Sequence, residues 1–372
     1  MKQRKHAPDF VLLISVMLLL AIGLVMVYSA SEFVSRNETK TEGDPDGYNY
    51  KYARRQLMWV VVGLAALLLG MRINYWHLSK LSKPLLIATV ILLILVLIPG
   101  IGQVRNGSRR WILIAGQQLQ PSEIAKISLA LFLAKMMGDK GKQMESFAKG
   151  LLPTLLLTGL VCGLVIKEPD LGTAIAIFAI AAVMIFVAGA RWSHIVALGL
   201  LAVVAVALLI FAADYRIDRL SFINPWADPS GDGFQLIQSY YALGPGGLFG
   251  RGLAQSMQKQ FFLPFPHTDF ILAVIGEELG FFGTSLIVVL FGLFIWRGFR
   301  VAMNAPDAFA ALLAVGLTTM VGLQAIINIA VVTGSIPTTG IPLPLISYGG
   351  SSLLFTMGSI GVLLNVSKYV RE

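Results

Sequence analysis

Charged residues and cysteine are both scarce in this chain of 372 residues. Asp, Glu, Lys and Arg together make up 13% of the sequence, against 56% for hydrophobic residues, whereas a soluble domain carries about 25% charged residues. This shortage of water-facing side chains excludes a soluble enzyme, a nucleic-acid-binding module and a disordered tail. The composition predicts a polytopic membrane protein.

The single cysteine, Cys162, lies inside an apolar run. One cysteine excludes structural disulfides and thiolate zinc sites. The four His are scattered and show no metalloprotease spacing, so no protein metal site is predicted. The net charge of +9 does not indicate nucleic acid, because most of the excess Lys and Arg lies in short loops between apolar runs.

Apolar runs of spanning length occur about ten times in the sequence. Continuous runs predict helices, since only helices or closed barrels satisfy backbone polar groups in lipid. The approximate spans are 10–30, 56–71, 84–99, 120–137, 150–167, 172–189, 194–213, 268–296, 308–332 and 345–366. The expected fold is an all-α polytopic membrane protein, with residues 1–372 forming one membrane domain.

The distribution of Lys and Arg predicts the orientation of the chain. With the N-terminus inside, these residues are about twice as dense in the inner segments as in the outer ones, so both termini are expected in the cytoplasm. This orientation places three informative segments outside: the 99–121 loop, the 213–267 loop and the Pro-rich 333–344 turn. The 213–267 loop is rich in aromatic residues, and we expect it to pack on the outer face as interfacial helices or re-entrant pieces.

Ionisable residues near membrane depth are the first candidates for function. Glu123 and Lys126 share a helix face at i, i+3; they form either a structural ion pair or a contact through Lys126 for an anionic substrate group. Pro266 marks a helix start, and either Thr268 or Asp269 is expected to be its N-cap; the alternative for Asp269 is a carboxylate at the mouth of a cavity that accepts a proton.

Other polar residues on apolar runs are interpreted as structural. Glu277 and Glu278 are expected to be helix-end partners for Arg or backbone groups. Gln324 and Asn328 share a face at i, i+4 and are expected to bond to neighbouring helices.

Arginine is clustered on the predicted outer loops, against the usual positive-inside tendency. Salt bridges to nearby Asp, recognition of a phosphate or diphosphate by guanidinium groups, and contact with lipid head groups all explain such a cluster. The basic residues concerned are Arg105, Arg109, Arg110, Arg216, Arg219, Arg251 and Lys259.

Several ordered motifs resemble the SEDS family, which comprises the FtsW, RodA and SpoVE proteins of bacterial wall growth. The matching stretches are Asn106-Gly107-Ser108 with Arg110-Trp111, Gln120-Pro121-Ser122-Glu123 with Lys126, Pro169-Asp170-Leu171-Gly172-Thr173, Tyr215-Arg216 with Arg219, Asn224-Pro225-Trp226, Gly233-Phe234-Gln235, Gln238-Ser239, Thr268-Asp269-Phe270-Ile271, Glu277-Glu278-Leu279-Gly280 and Ser347-Tyr348-Gly349-Gly350-Ser351-Ser352. The resemblance runs from about residue 8 to 370. It is nearest to the FtsW and SpoVE branch of Gram-positive bacteria.

The resemblance implies ten helices and a peptidoglycan glycosyltransferase in the bacterial cytoplasmic membrane. Such an enzyme polymerises lipid II into β-1,4 glycan strands with inversion, and undecaprenyl diphosphate leaves. The implied partners are a class B penicillin-binding transpeptidase, lipid II, the nascent glycan strand and membrane lipids. Help from a divalent cation, Mg²⁺ or Mn²⁺, is an open alternative.

The resemblance also assigns residues. The family's essential aspartate carries over to Asp269, which is expected to act as general base on the acceptor 4-hydroxyl. Arg110 with adjacent Arg109, and Glu123 with Lys126, match further family positions. The remaining residues expected to contact substrate are Asp170, Arg216, Arg219, Gln235, Ser239, Lys259 and Ser347. Glu168 departs from the family, which commonly has Gln there, and it leaves open what Asp170 pairs with.

Two other functions fit a protein of this kind: a flippase for lipid II, and a non-catalytic scaffold for the transpeptidase. The basic and acidic candidates concentrate on one side of the membrane, and no clear inverted repeat is seen, whereas alternating access favours both sides. A scaffold leaves Asp269 and the arginines unexplained. The enzyme is therefore favoured.

Overall fold

The computed structural model describes residues 6–41, 50–105, 107–114, 116–260 and 262–370. Twelve α-helices lie in this part of the chain, and ten of them are long. They are α1 (Phe10–Thr41), α2 (Lys51–Arg72), α3 (Tyr75–Leu97), α4 (Pro121–Lys140), α5 (Leu152–Lys167), α6 (Leu171–Val187), α7 (Trp192–Phe211), α8 (Asp214–Ile217), α9 (Phe234–Leu243), α10 (Ile271–Met303), α11 (Ala308–Val332) and α12 (Gly350–Ser367). Eight helices among the described residues are long and apolar enough to cross a membrane. The predicted all-α polytopic fold is confirmed.

The helix bounds follow the predicted apolar spans, with three differences. α1 continues to Thr41 and α3 begins at Tyr75, so both helices extend beyond their most apolar stretches. α10 is interrupted at Gly280, whose φ of +65° is left-handed and suits a residue without a Cβ. The segment 271–279 is therefore a short buried helix ahead of the long spanning part of α10.

The 99–121 loop contains a small antiparallel sheet that the search for apolar runs did not predict. Its strands are β1 (Gly102–Arg105), β2 (Ser108–Ile114) and β3 (Gln117–Leu119), in the order β1-β2-β3. Gly107 and Gly116 each have a φ of +75° in the two tight turns, as hairpins of this kind require. The Asn-Gly pair at 106–107 was the available signal, although Asn106 lies outside the described residues.

The 213–267 loop, expected on the outer side and named the outer loop for that reason, packs against the helix ends. It contains α8, α9 and several short 3₁₀ turns. α9 packs on α10, and the Ser239 hydroxyl donates a hydrogen bond of 2.8 Å to the Val332 carbonyl at the end of α11. Phe261 in this loop lies outside the described residues.

The core of the bundle forms around α11, which is mostly buried. This helix packs against α4, α6, α10 and α12. α2 and α12 approach so closely that a Cβ at Gly361 would collide with the Leu67 carbonyl. α7, in contrast, exposes nearly all of its apolar surface, as a helix facing lipid does.

Candidate active site

Asp269 follows the 213–267 loop and lies two residues before α10 begins. The N-cap of α10 is Phe270, and no side chain caps this helix. The interpretation of Thr268 or Asp269 as an N-cap is therefore wrong.

The backbone around Asp269 is held by side chains from two other elements. The Asn328 amide of α11 donates 2.8 Å to the Asp269 carbonyl and 2.9 Å to the Ile341 carbonyl. The buried Ser347 hydroxyl donates 2.6 Å to the Thr268 carbonyl. These bonds fix the carboxylate against the 333–344 turn.

A cavity of about 130 Å³ adjoins the Asp269 side chain. Its walls come from the outer loop, the start of α10, α11 and the 333–344 turn. The lining residues are Arg219, Gln235, Phe265, Asp269, Phe270, Asn328, Val331, Thr338, Gly340 and Ile341. The cavity thus combines one carboxylate, one guanidinium and two amides with apolar side chains, a composition typical of a small-molecule site.

The pKa of Asp269 is raised to about 6, chiefly because burial disfavours its charged form. The neighbouring Arg110 and Arg219 lower this pKa, and the Asp170 carboxylate raises it. At neutral pH the group is mostly ionised, yet it is more basic than an ordinary aspartate. Both properties suit a general base.

A second, smaller cavity of about 60 Å³ lies on the other side of Gly340 and Ile341, which line both spaces. Its lining residues are Arg110, Trp111, Gln120, Glu123, Lys126, Asp170, Thr173, Ala176, Gln324, Gly340, Ile341 and Pro342. Two cationic and two anionic side chains meet here. The structure therefore brings four of the predicted site residues together, one wall away from Asp269.

Glu123 and Lys126 form the expected ion pair, with 2.8 Å between Lys126 Nζ and Glu123 Oε1. Pro121 begins α4, where its missing N–H costs no helical hydrogen bond, and it sets this polar turn at the cavity. Both side chains are buried and both line the second cavity. The structural and functional interpretations of the pair are thus compatible.

Arg110 extends from β2 to the turn between α5 and α6. Its guanidinium donates to the Glu168 carbonyl at 3.3 Å and to the Pro169 carbonyl, and it lies 3.5 Å from the Asp170 carboxylate. Asp170 also caps α6 by accepting from the Thr173 N–H at 3.1 Å. Arg110 is therefore the partner of Asp170 that the sequence left open.

Glu168 is fully buried, and among the described residues neither of its carboxyl oxygens has a hydrogen-bond partner. Burial raises its pKa to about 9, with a further upward contribution from Asp170 and a downward one from Arg110. The side chain is therefore protonated at neutral pH. Glu168 in place of the family's common Gln therefore adds no charge to the site at neutral pH.

Lys259, predicted as a substrate contact, lines neither cavity. Its fully buried ammonium lies 2.9 Å from Glu278 Oε1 and 3.0 Å from the Ser29 hydroxyl. This ion pair lines neither cavity, whereas the Glu123–Lys126 pair lines the second one. Lys259 therefore has the contacts of a structural ion pair. Glu277 is likewise bound, to Arg251 at 3.3 Å, so the interpretation of both glutamates as structural partners is confirmed.

Four more predicted substrate contacts lie outside the cavity walls. Ser239 and Ser347 are buried, and the hydroxyl of each donates a hydrogen bond to a backbone carbonyl. Arg216 donates 2.6 Å to the Leu209 carbonyl, and Arg109 donates 3.4 Å to the Leu97 carbonyl. Three of these bonds join a loop segment to the end of a helix, and the Ser347 bond joins two loops.

Sequence reasoning missed several residues that build the site. Asn328 was expected to bond only to neighbouring helices, yet it holds the backbone of Asp269 itself. Thr338, Gly340 and Phe265 line the main cavity. The Pro-rich 333–344 turn was the available signal, because loops between fixed helices carry function disproportionately.

Among the residues that the structure describes, no three His, Cys, Asp or Glu side chains are grouped so that they could hold a metal ion. The acidic residues nearest the site, Asp269 and Asp170, are separated between the two cavities. Involvement of Mg²⁺ or Mn²⁺ stays a prediction.

Comparison with known proteins gives a consistent result over the whole chain. Residues 10–372 match the FtsW/RodA/SpoVE family, described as cell cycle protein. The chain is 48% identical over 372 residues to stage V sporulation protein E of Bacillus subtilis, covering 100% of both chains. It is 40% identical over 370 residues to the probable peptidoglycan glycosyltransferase FtsW of Geobacter sp. strain M18, covering 99% of each.

Two solved structures share the fold. One is a chain in a structure that describes the coordination of polymerization and crosslinking by a peptidoglycan synthase complex. It is 33% identical with a TM-score of 0.78, and the match covers 97% of this chain and 98% of that chain. The other is the rod shape determining protein RodA of Thermus thermophilus, 31% identical with a TM-score of 0.72 and 98% of each chain covered.

Proposed function

Because the chain belongs to the FtsW/RodA/SpoVE family of cell cycle proteins, we propose that it is a peptidoglycan glycosyltransferase that polymerises lipid II at the outer face of the cytoplasmic membrane. Relatives 40% and 42% identical over nearly the whole chain are named probable peptidoglycan glycosyltransferases. The observation that carries the proposal is the Asp269 carboxylate on a cavity that also holds Arg219, with Arg110 close enough to influence its pKa.

Asp269 acts as general base on the acceptor sugar. A sugar 4-hydroxyl is a weak nucleophile and needs a positioned base to take its proton as it attacks. Attack on an α-linked glycosyl diphosphate forms the new β-1,4 bond, breaks the bond to undecaprenyl diphosphate and inverts the anomeric carbon. One carboxylate suffices for this displacement, whereas glycoside hydrolases use two.

The cationic side chains serve the leaving group. The diphosphate gains negative charge as the glycosyl bond breaks, and preorganised cations stabilise that charge in the transition state. Arg110 and Lys126 line the second cavity, and Arg219 lines the first. Guanidinium groups match the geometry of phosphate oxygens.

The position of both cavities at one end of the bundle supports an enzyme that works from one side. Their residues come from the connections α3–α4, α5–α6, α7–α10 and α11–α12 and from adjacent helix ends. If each long helix crosses the membrane, these connections all emerge on the same side. With both termini in the cytoplasm, that side is the outer one.

A class B penicillin-binding transpeptidase is the proposed partner. The related chain in the peptidoglycan synthase complex belongs to an assembly that coordinates polymerization and crosslinking. New glycan strands need crosslinking, so a polymerase benefits from a transpeptidase bound beside it. Its membrane helix is expected to dock against the spanning helices of this chain.

Polymerisation of labelled lipid II in detergent tests the proposal, with the purified protein and its transpeptidase partner. We expect long strands from the wild type and a rate lower by about 10²–10⁴-fold for Asp269→Asn, the range for loss of a general base. Asp232→Asn, at an exposed aspartate of the same loop, is the matched control and should retain activity.

Micelles have no two compartments, so a pure flippase gives no product in this assay. The absence of strands from the folded wild-type complex would contradict the proposal and favour transport or scaffolding. Normal strands from Asp269→Asn would contradict the assignment of the base.

A further inference from the structure

Phe265 combines three features that loop packing does not explain. Its backbone has a φ of +52°, its side chain is 52% exposed, and it lines the cavity that holds Asp269. The residue was not among those expected from the sequence to contact substrate. It is an aromatic side chain presented at the mouth of the site.

The backbone conformation of Phe265 is costly. A left-handed φ is a genuine outlier for a bulky residue, and a residue that precedes proline, as Phe265 precedes Pro266, favours extended conformations instead. The turn is held by Thr268, whose N–H donates 3.1 Å and whose hydroxyl donates 3.3 Å to the Phe265 carbonyl. Strained residues fixed in this way cluster at ligand-binding and catalytic sites.

The space beside Phe265 is open, and polar side chains form part of its lining. A Cβ built at Gly340 would meet only Asp269 Oδ2, at 3.8 Å, so this glycine leaves room next to the carboxylate. Gln235 on α9 lines the same cavity, and an amide side chain offers two donors and an acceptor. An aromatic ring, an amide and a carboxylate thus surround one small cavity.

We propose that Phe265 is a stacking platform for a sugar ring of the lipid-linked substrate, holding the acceptor pyranose with its hydroxyl at Asp269. A pyranose has an apolar C–H face and a rim of hydroxyls. The ring of Phe265 covers the apolar face, and Gln235 and Asp269 take the hydroxyls, in the usual division of labour of a ligand pocket. This inference rests on the proposed function.

Binding to catalytically silent protein tests the platform, with all variants made in the Asp269→Asn background and in complex with the transpeptidase. The two probes are lipid II and undecaprenyl diphosphate, which carries the same lipid and diphosphate but no sugar. Phe265→Ala should weaken lipid II binding by about tenfold, the scale of a lost aromatic contact. Binding of undecaprenyl diphosphate should stay unchanged, and Phe265→Tyr should bind both as the parent does.

Phe262→Ala is the matched control, because Phe262 lies in the same loop with 53% of its side chain exposed and does not line the cavity. It should leave both affinities unchanged. Equal weakening of both probes by Phe265→Ala, or the same loss from Phe262→Ala, would identify a bilayer contact and overturn the platform. Unchanged lipid II binding in Phe265→Ala would overturn it directly.

A stability measurement separates a binding role from a packing role. Phe265→Gly relieves the left-handed backbone, so its thermal midpoint should equal or exceed that of the parent while lipid II binding falls as in Phe265→Ala. A lower midpoint would mean that the ring supports the fold, against the inference. If the parent protein bound neither probe, the proposed function itself would fail. Equal binding of lipid II by the parent and every variant would instead overturn the platform alone.

Discussion

At the residue scale, the environment of Asp269 predicts how activity depends on pH. Its pKa is raised to about 6, with burial as the main cause, and a general base must be ionised to act. kcat/KM for polymerisation should therefore rise with pH through about 6 and level off above it. A pH series with lipid II measures this directly, and a midpoint near 4 would contradict the raised pKa.

The same shift has a consequence for stability. The folded state favours protonated Asp269, so ionisation weakens the fold as pH rises from the ordinary aspartate range to about 6. The stabilising effect of the protonated form is complete below that window and lost above it. Asp269→Asn removes this dependence, so its thermal midpoint at pH 7 should match or exceed that of the wild type.

At the scale of elements, a buried charged network joins α1, the outer loop and α10. Glu278 accepts from Lys259 and from the Ser29 hydroxyl of α1, and also from the Ala254 N–H at 3.0 Å. Glu277 accepts from the Ser256 hydroxyl and nearby backbone N–H groups. The two carboxylates thus fasten the loop just ahead of Phe265 and Asp269.

Removing one partner of this network should destabilise the protein strongly. Lys259→Met leaves Glu278 charged and buried, which costs about 3–5 kcal/mol, and the double variant Lys259→Met/Glu278→Leu should recover part of that loss. Arg251→Met is the control, because its partly exposed ion pair with Glu277 contributes less. Thermal unfolding of the three variants measures the effect. A Lys259→Met protein of normal stability that cannot bind lipid II would contradict this prediction and identify Lys259 as a substrate contact.

At the scale of the whole molecule, the proposed function requires that the site face the outer side of the membrane. Lys142, after α4, and Asp232, before α9, are exposed on opposite ends of a bundle whose long helices alternate in direction. Cys162 is buried, so introduced cysteines give a clean signal. A membrane-impermeant maleimide on intact cells should label Asp232→Cys and reach Lys142→Cys only after permeabilisation, and the reverse pattern would invert the proposed topology.

The positions of the proposed transpeptidase partner and of the proposed substrate are also decided at the scale of the whole molecule. Both cavities adjoin the same turn, at Gly340 and Ile341, and the outer loop that carries Phe265 covers one of them. A partner that contacts this loop would act on the site without touching Asp269. The whole bundle, rather than any single helix, therefore sets the geometry of the reaction.

The amino-acid sequence alone determined the membrane fold, the helix spans, the family and the position of Asp269 at the entry to α10. Long apolar runs admit almost no alternative to spanning helices, and the pair Glu123–Lys126 follows from helical spacing alone. Tertiary structure decided the rest, because local sequence patterns do not predict which side chains pair when they are far apart in the sequence. It assigned Arg110 to Asp170, buried Lys259 against Glu278, and brought the 333–344 turn beside Asp269.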